Sequence, residues 1–180
     1  MKILETERLL LREIDSALDA EFIFELLNTP KFIEYIGDRG VRSVEQARDF
    51  IEDRYSRSYR ENGYGLYTVE LRMPLLRAGF CPEVQATPIG MCGFVKRDTL
   101  PDPDLGFAFL PEFEGRGYGF ESAKAVLQYG RDRLGLSNVL AITSQDNDVS
   151  VKLLKKLGFT FDKLYTTSEG EDLKLFEKQL

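Results

Sequence analysis

The sequence predicts an α/β (α+β) domain, a mixed and mostly antiparallel central sheet flanked by helices. Three observations carry that expectation. Apolar periodicity divides the chain into elements in the order βααβββαβαββ. The stretch 104–123 reads as a buried strand, a glycine-rich turn and the start of a helix. At 180 residues, with neither repeats nor linkers, the chain has the size of one domain spanning 1–180.

Glu7 to Ile14 alternates and reads as the first strand. Asp15 to Asn28 reads as a helix with Leu18, Phe22, Ile23 and Leu26 on its apolar side, stopped by Pro30. Lys31 to Gly37 reads as a connection carrying Phe32 and Tyr35. Ser43-Val-Glu-Gln46 forms a capping box that opens the longest helix, with Val44, Ala47, Ile51, Tyr55 and Tyr59 on one stripe. Asn62-Gly63 ends it. Strands follow at 65–72 and 89–96, separated by an excursion, 73–88, that is long for a hairpin. That excursion is open to two readings, a surface loop or a pocket lid or dimer contact.

Leu105 to Leu110 is the central strand, followed by glycines at 115, 117 and 119 and a helix with Phe120, Ala123, Leu127, Gly130 and Leu134 on one stripe. A helix N-terminus has unpaired N–H groups and a partial positive charge, and missing Cβ atoms admit a phosphate. The dinucleotide fingerprint fails, because Phe120 stands where its third glycine belongs, and no Gly-Lys-Ser/Thr follows to make a P-loop. A turn without a ligand is the alternative. Asn138 to Thr143 reads as a strand, and Asp146-Asn-Asp148 opens a short helix with Val149, Leu153 and Leu157 on one side and Gly158 as C-cap. Residues 159–166 and 172–178 close the chain as a hairpin across Ser168-Glu-Gly170.

Composition excludes several classes. A net charge of -6 argues against nonspecific nucleic-acid binding, and no apolar run reaches a membrane span. No signal peptide is visible, and two cysteines, Cys81 and Cys92, make no disulfide framework, so a cytoplasmic setting is expected. Both read as inert rather than nucleophilic. The chain has no histidine, which removes Ser-His and Cys-His pairs and most zinc sites, and no metal is expected. Proton transfer falls to carboxylates, Tyr, Ser, Cys, Lys or water.

Residues 110–119, Leu-Pro-Glu-Phe-Glu-Gly-Arg-Gly-Tyr-Gly, resemble the acetyl-CoA pyrophosphate loop of GNAT-superfamily N-acetyltransferases. The family pattern Gln/Arg-x-x-Gly-x-Gly/Ala falls on Glu114, Gly117 and Gly119, with Glu114 a departure. Thr6 to Arg12 is similar to the Thr-Glu-Arg-Leu-x-Leu-Arg opening of the ribosomal-protein (Rim-type) branch. Asn147, Ser150 and Leu157 to Phe159 match its Asn-x-x-Ser…Leu-Gly-Phe segment. The motifs lie in family order along nearly the whole chain.

The resemblance implies acetyl-CoA as cosubstrate, held where the central strand splays from strand 138–143. Phe109 and Leu110 would meet its arm with backbone groups, and Glu114, Gly115, Arg116, Gly117, Tyr118 and Gly119 its pyrophosphate. Asn147 would touch the arm and Ser150 would lie near the sulfur. Both are equally an N-cap and a first-turn serine. Many family members place a tyrosine acid where Leu154 stands, which leaves Ser150 as proton donor. Asp104 is the expected base, with Asp98 and Glu112 as alternatives. Phe32, Tyr35, Phe94 and Phe107 would wall an apolar acceptor pocket. The implied activity is acetyl transfer to a primary amine, either a small molecule or a peptide or protein N-terminus, by a monomer or homodimer. An inactive acyl-CoA-binding or interaction module on the same fold is the alternative.

Overall fold

The sheet is set by strand alternation in the first half of the chain. In the computed structural model, which describes residues 1–72, 86–167 and 170–180, Leu9 and Leu11 on β2 (Leu9–Glu13) are fully buried. β1 (Lys2–Glu5) pairs with β2 and precedes the first expected strand. The other strands are β3 (Leu66–Leu71), β4 (Thr87–Val95), β5 (Asp104–Phe109), β6 (Asn138–Ser144), β7 (Thr160–Thr166) and β8 (Asp172–Gln179). They form one sheet in the order β1-β2-β3-β4-β5-β6-β8-β7. Every neighbouring pair is antiparallel except β5 with β6.

Alternation separates two cores. Cys92 and Phe94 on β4 and Leu105 on β5 pack with Ala123, Val126 and Leu127 of the helix α5 (Tyr118–Leu134). Met91 on β4 joins the opposite core, with Ile23 and Leu26 of α1 (Ala20–Leu27) and Ala47 of α3 (Val44–Phe50). Asp19 anchors α1: its buried carboxylate accepts hydrogen bonds from Arg12 at 2.7 and 2.8 Å, from the Asp15 N–H at 2.8 Å and from Thr68. Asp15 folds back on the N–H groups of Ala17 and Leu18, so helix begins only at Ala20. Leu18 is accordingly 73% exposed rather than on the apolar side.

The connection 31–37 is largely helical. Pro30, expected as a stop, occupies the first position of α2 (Pro30–Tyr35), where its missing N–H has no helical partner to lose. The long helix is interrupted: α3 runs into a π-helical turn, Ile51–Ser56, and then α4 (Arg57–Asn62). Ser43 caps α3 by accepting the Gln46 N–H. The side chain of Gln46 returns to the Arg42 N–H, one residue before the expected one.

The last helix, α6 (Asp148–Lys156), ends with Gly158 at φ +86°. Its buried residue is Leu154, while Val149 is 76% exposed. Most of the 73–88 excursion, with Cys81, and Ser168 of the final turn lie outside the described residues.

Candidate active site

β5 and β6 are the one parallel pair, and they pair at a single register position, Asp104 with Leu140. The Leu140 N–H donates to the Pro103 carbonyl at 2.9 Å. Beyond that point β5 stays with β4 through Phe109, and β6 stays with β8 through Ser144. Each strand is satisfied on its outer side, so a gap opens between them. The Leu110 N–H donates to the Ile89 carbonyl at 2.9 Å. Strand alternation therefore turns the N–H of Phe109, not that of Leu110, toward the gap.

The glycine loop stands at the open end of that gap. Pro111–Phe113 makes one 3₁₀ turn after Leu110. Gly115 and Gly117 take φ +71° and +84°, left-handed values at which a side chain is strained. Gly117 is the N-cap of α5 and offers no side-chain cap. The first-turn N–H groups of a seventeen-residue helix thus point outward at the loop. Gly119 lies within the helix, where an added Cβ would meet Leu153 and Phe109 only at 3.5 Å.

Arg8 fixes this loop. Its guanidinium pairs with Glu121 in the first turn of α5 at 2.6 Å, donates to the Arg116 carbonyl at 3.1 Å and lies 4.6 Å from the Tyr118 ring centre. Thr6 also donates to Glu121. Burial pushes the Glu121 carboxyl up, yet the hydrogen bonds from Thr6 and Arg8 hold it below its ordinary value. Glu114, the departure from the family pattern, pairs with Lys31 of α2, and that bond raises the lysine. Arg116 is exposed beside the Phe113 ring.

Across the gap, Asn147 caps α6, its side-chain oxygen accepting the Ser150 N–H at 3.0 Å. Ser150 is half-buried, and Leu154 is 1% exposed. Tyr35 of α2 is pushed up by the charge of Glu34, then by burial and the charge of Asp146. This places α2 within electrostatic reach of the β6–α6 turn.

Not every expected residue comes to this place. Phe94 is fully buried, and Phe107 faces the same α5-side core, whereas Phe32 lies in the core on the opposite face. With Phe94 and Phe107 on one face of the sheet and Phe32 of α2 on the other, these aromatic residues do not line one acceptor pocket; Tyr35, like Phe107, is half-buried. Asp104 starts β5 at the closed end of the gap, about 16 Å of strand from Phe109. It is 2% exposed and accepts a hydrogen bond from Arg97 at 2.9 Å. Burial raises its carboxyl against the opposing effect of Arg97. The structure does not bring Asp104 to the loop.

The family profile for the acetyltransferase (GNAT) domain matches residues 8–160. The chain belongs to the GNAT acetyltransferase family. The uncharacterised N-acetyltransferase YoaA of Bacillus subtilis strain 168 is 32% identical over 157 residues, 87% of this chain and 82% of that protein. The ribosomal L7/L12 alpha-N-protein acetyltransferase RimL, solved with coenzyme A, superposes with a TM-score of 0.75 at 16% identity, covering 100% of this chain and 98% of RimL. Spermidine N-acetyltransferase from Vibrio cholerae, solved with CoA and spermine, gives 0.74 at 18% identity, covering 97% and 96%. At these identities the two structures share the fold, and the Rim-type enzyme is one of several such neighbours.

Two contacts of this GNAT domain escape sequence reasoning. Thr6, Arg8 and Glu121 lie far apart in the chain, and the Thr-Glu-Arg motif is legible without its partner. Lys31 meets Glu114 only because Pro30 starts a helix rather than ending one. Among the described residues, no cluster of His, Cys, Asp or Glu is placed to hold a metal, and no helix is long and apolar enough to cross a membrane.

Proposed function

We propose that residues 1–180 act as one acetyl-CoA-dependent N-acetyltransferase unit that moves an acetyl group directly to a primary amine in a ternary complex. The observation that carries this reading is the uncapped N-terminus of α5 at the open end of the β5–β6 gap. The N–H groups of residues 115–119 suit a diphosphate, and the open backbone edge of β5 suits an amide-bearing arm. When bound, acetyl-CoA supplies an activated acyl thioester.

The remaining work falls to this chain. The Phe109 N–H would stabilise negative charge on the acyl oxygen, worth about 3 kcal/mol for one such donor. Ser150, or water held by it, would give the departing sulfur its proton. The amine proton would leave to water. Direct transfer is the expected route: Cys92, the one cysteine among the described residues, is fully buried and burial pushes its thiol up to about 12, so its thiolate is not available to carry the acetyl group.

The acceptor is a small amine or an unblocked peptide N-terminus. An α-amino group is about a quarter neutral near pH 7.4, against about one part in a thousand for lysine. Without histidine to deprotonate a strongly basic amine, internal lysines should be poor acceptors. The expected setting is cytoplasmic, as a monomer or homodimer. A second reading, an acyl-CoA-binding module without turnover, is favoured by the buried Leu154 in place of an acid.

Calorimetry with acetyl-CoA and a thiol-release assay with a panel of amines separate the two. The enzyme reading expects saturable binding and amine-dependent release. Binding without release would select the second reading, and absence of binding would refute both.

A further inference from the structure

Among the described residues, buried polar side-chain atoms are paired with one exception. Asp19 is held by Arg12 and Thr68, Asp104 by Arg97, and Ser122 donates to the Tyr118 carbonyl at 2.8 Å. Among the described residues, the one buried side-chain oxygen or nitrogen without a hydrogen-bond partner is Oγ of Ser144. A buried hydroxyl left unmatched is costly and calls for an explanation.

Its place in the sheet supplies one. Ser144 is the last residue of β6, paired with Leu173 of β8 in an unbroken register. Counting from the single β5–β6 pairing, Asp104 with Leu140, it stands level with Ala108 across the gap. Val139 and Ala141 face α5, whereas Leu140 packs with Leu100 and Leu175 on the opposite face and Ile142 joins them. Alternation puts Ser144 on that second face, the face of Ala108 and of the core containing Phe32 of α2. The α5 N-terminus, where the cosubstrate diphosphate would sit, follows the strand residues of the first face. Tyr35 of α2 feels the charges of Glu34 and Asp146, opposed by that of Lys31.

We propose that Ser144 binds the acceptor: its hydroxyl oxygen accepts a hydrogen bond from an N–H of the incoming primary amine and so aims the nitrogen lone pair across the gap. The proposal rests on the N-acetyltransferase reading above. A neutral primary amine has two N–H donors and one lone pair. Fixing one donor from the β6 side leaves the lone pair free for the acyl carbon beside β5. The bond formed in the reaction is N–C, the bond broken is C–S, and Ser144 keeps its own proton throughout.

The test is Ser144→Ala, with Ser144→Thr as the variant that keeps the hydroxyl. Thermal unfolding, CoA affinity by calorimetry, and the thermal shift produced by phenethylamine on the CoA-bound protein are measured beside steady-state kinetics. The expected result for the alanine variant is an unchanged or higher Tm and unchanged CoA affinity. Its phenethylamine shift should shrink, and KM for the amine should rise about two- to tenfold. Threonine should recover much of the difference. A fall in Tm would reveal a structural partner for the hydroxyl and overturn the proposal. A fall in CoA affinity would assign the hydroxyl to the cosubstrate and overturn it equally, as would an unaltered amine response. Absence of CoA binding by the unsubstituted protein would instead refute the N-acetyltransferase reading on which the proposal rests.

Discussion

Replacing Arg8 with glutamine separates what holds the phosphate loop from what fills it. The side chain is 43% exposed, so its ion pair with Glu121 is discounted to about 0.2–1 kcal/mol. Its position over Tyr118 adds about 0.5–1 kcal/mol, and the hydrogen bond to the Arg116 carbonyl about 0.5–1.5 kcal/mol. A loss near 2 kcal/mol corresponds to about 4–8 °C in Tm for a chain of this length. The second effect is electrostatic. Freed from Arg8, the Glu121 carboxylate remains in the first turn of α5, where it competes with a bound anion for the same helix end. That competition is worth about 1 kcal/mol, roughly fivefold in Kd, and it should fade in high salt. Arg8→Gln should therefore lower Tm and weaken CoA binding, and adding Glu121→Gln should restore affinity without restoring Tm. Calorimetry at low and high salt, with unfolding scans, reads both effects. Unaltered affinity in Arg8→Gln at low salt, or no recovery in the double variant, would refute the reasoning.

Ser150→Ala should lower kcat by about a hundredfold, the low end of general-acid effects, while calorimetric CoA affinity stays; equal turnover would leave Ser150 as only a helix-start residue. Gly117→Ala forces a side chain into φ +84° and should cost about 1–2 kcal/mol, whereas Gly119→Ala should leave Tm unchanged or higher; equal Tm values would show that the loop tolerates another conformation. Asp104→Asn should turn over like the parent protein. Folding raises the Asp104 carboxyl, so its contribution to stability is fully present below the ordinary aspartate range and is lost as pH rises through the folded value. The stability of Asp104→Asn relative to the parent should accordingly increase from acid toward neutral pH, as unfolding scans across pH would reveal; a constant difference would contradict the direction.

The strand–glycine–helix core of the fold is legible in sequence because local pattern and tertiary use coincide there. Leu105 alternates with Gly106, Gly117 takes a backbone conformation that glycine suits, and Asn147 caps the helix it precedes. Legibility fails where a residue serves a distant partner. Asp15 looks like helix and spends its carboxylate on a turn, leaving Leu18 in water. Pro30 is punctuation in either direction, and only packing of Phe32 decides that it opens a helix. β1 is four residues among charges and exists because β2 offers it an edge. Phe94 and Phe107 share the aromatic character of Phe32 and Tyr35, but nothing in the letters says which sheet face each takes relative to α2. Asp104 is at the right strand and the wrong end, a distinction invisible until the gap is known to close at Leu140.

The π-helical turn at 51–56 has a bearing on chain length. Ala47, Ile51, Tyr55 and Tyr59 recur every four residues, a spacing that drifts about 40° per step around an ordinary α-helix. The wider π turn absorbs that drift, so Ala47 upstream reaches the α1-side core while Tyr59 downstream still stacks on Tyr67, with ring centres 5.9 Å apart and planes 3° apart. The Tyr59 hydroxyl also accepts the Ile14 N–H at 3.0 Å and donates to the Leu66 carbonyl. The segment is a phase adjuster, one surplus residue reconciling two docking surfaces. Inserting a further residue into it would rotate Tyr59 by about 100° and undo both bonds. Replacing its exposed Glu52, Asp53 or Arg54 would leave the phase alone. Tolerance here is thus a matter of counting residues rather than of choosing them.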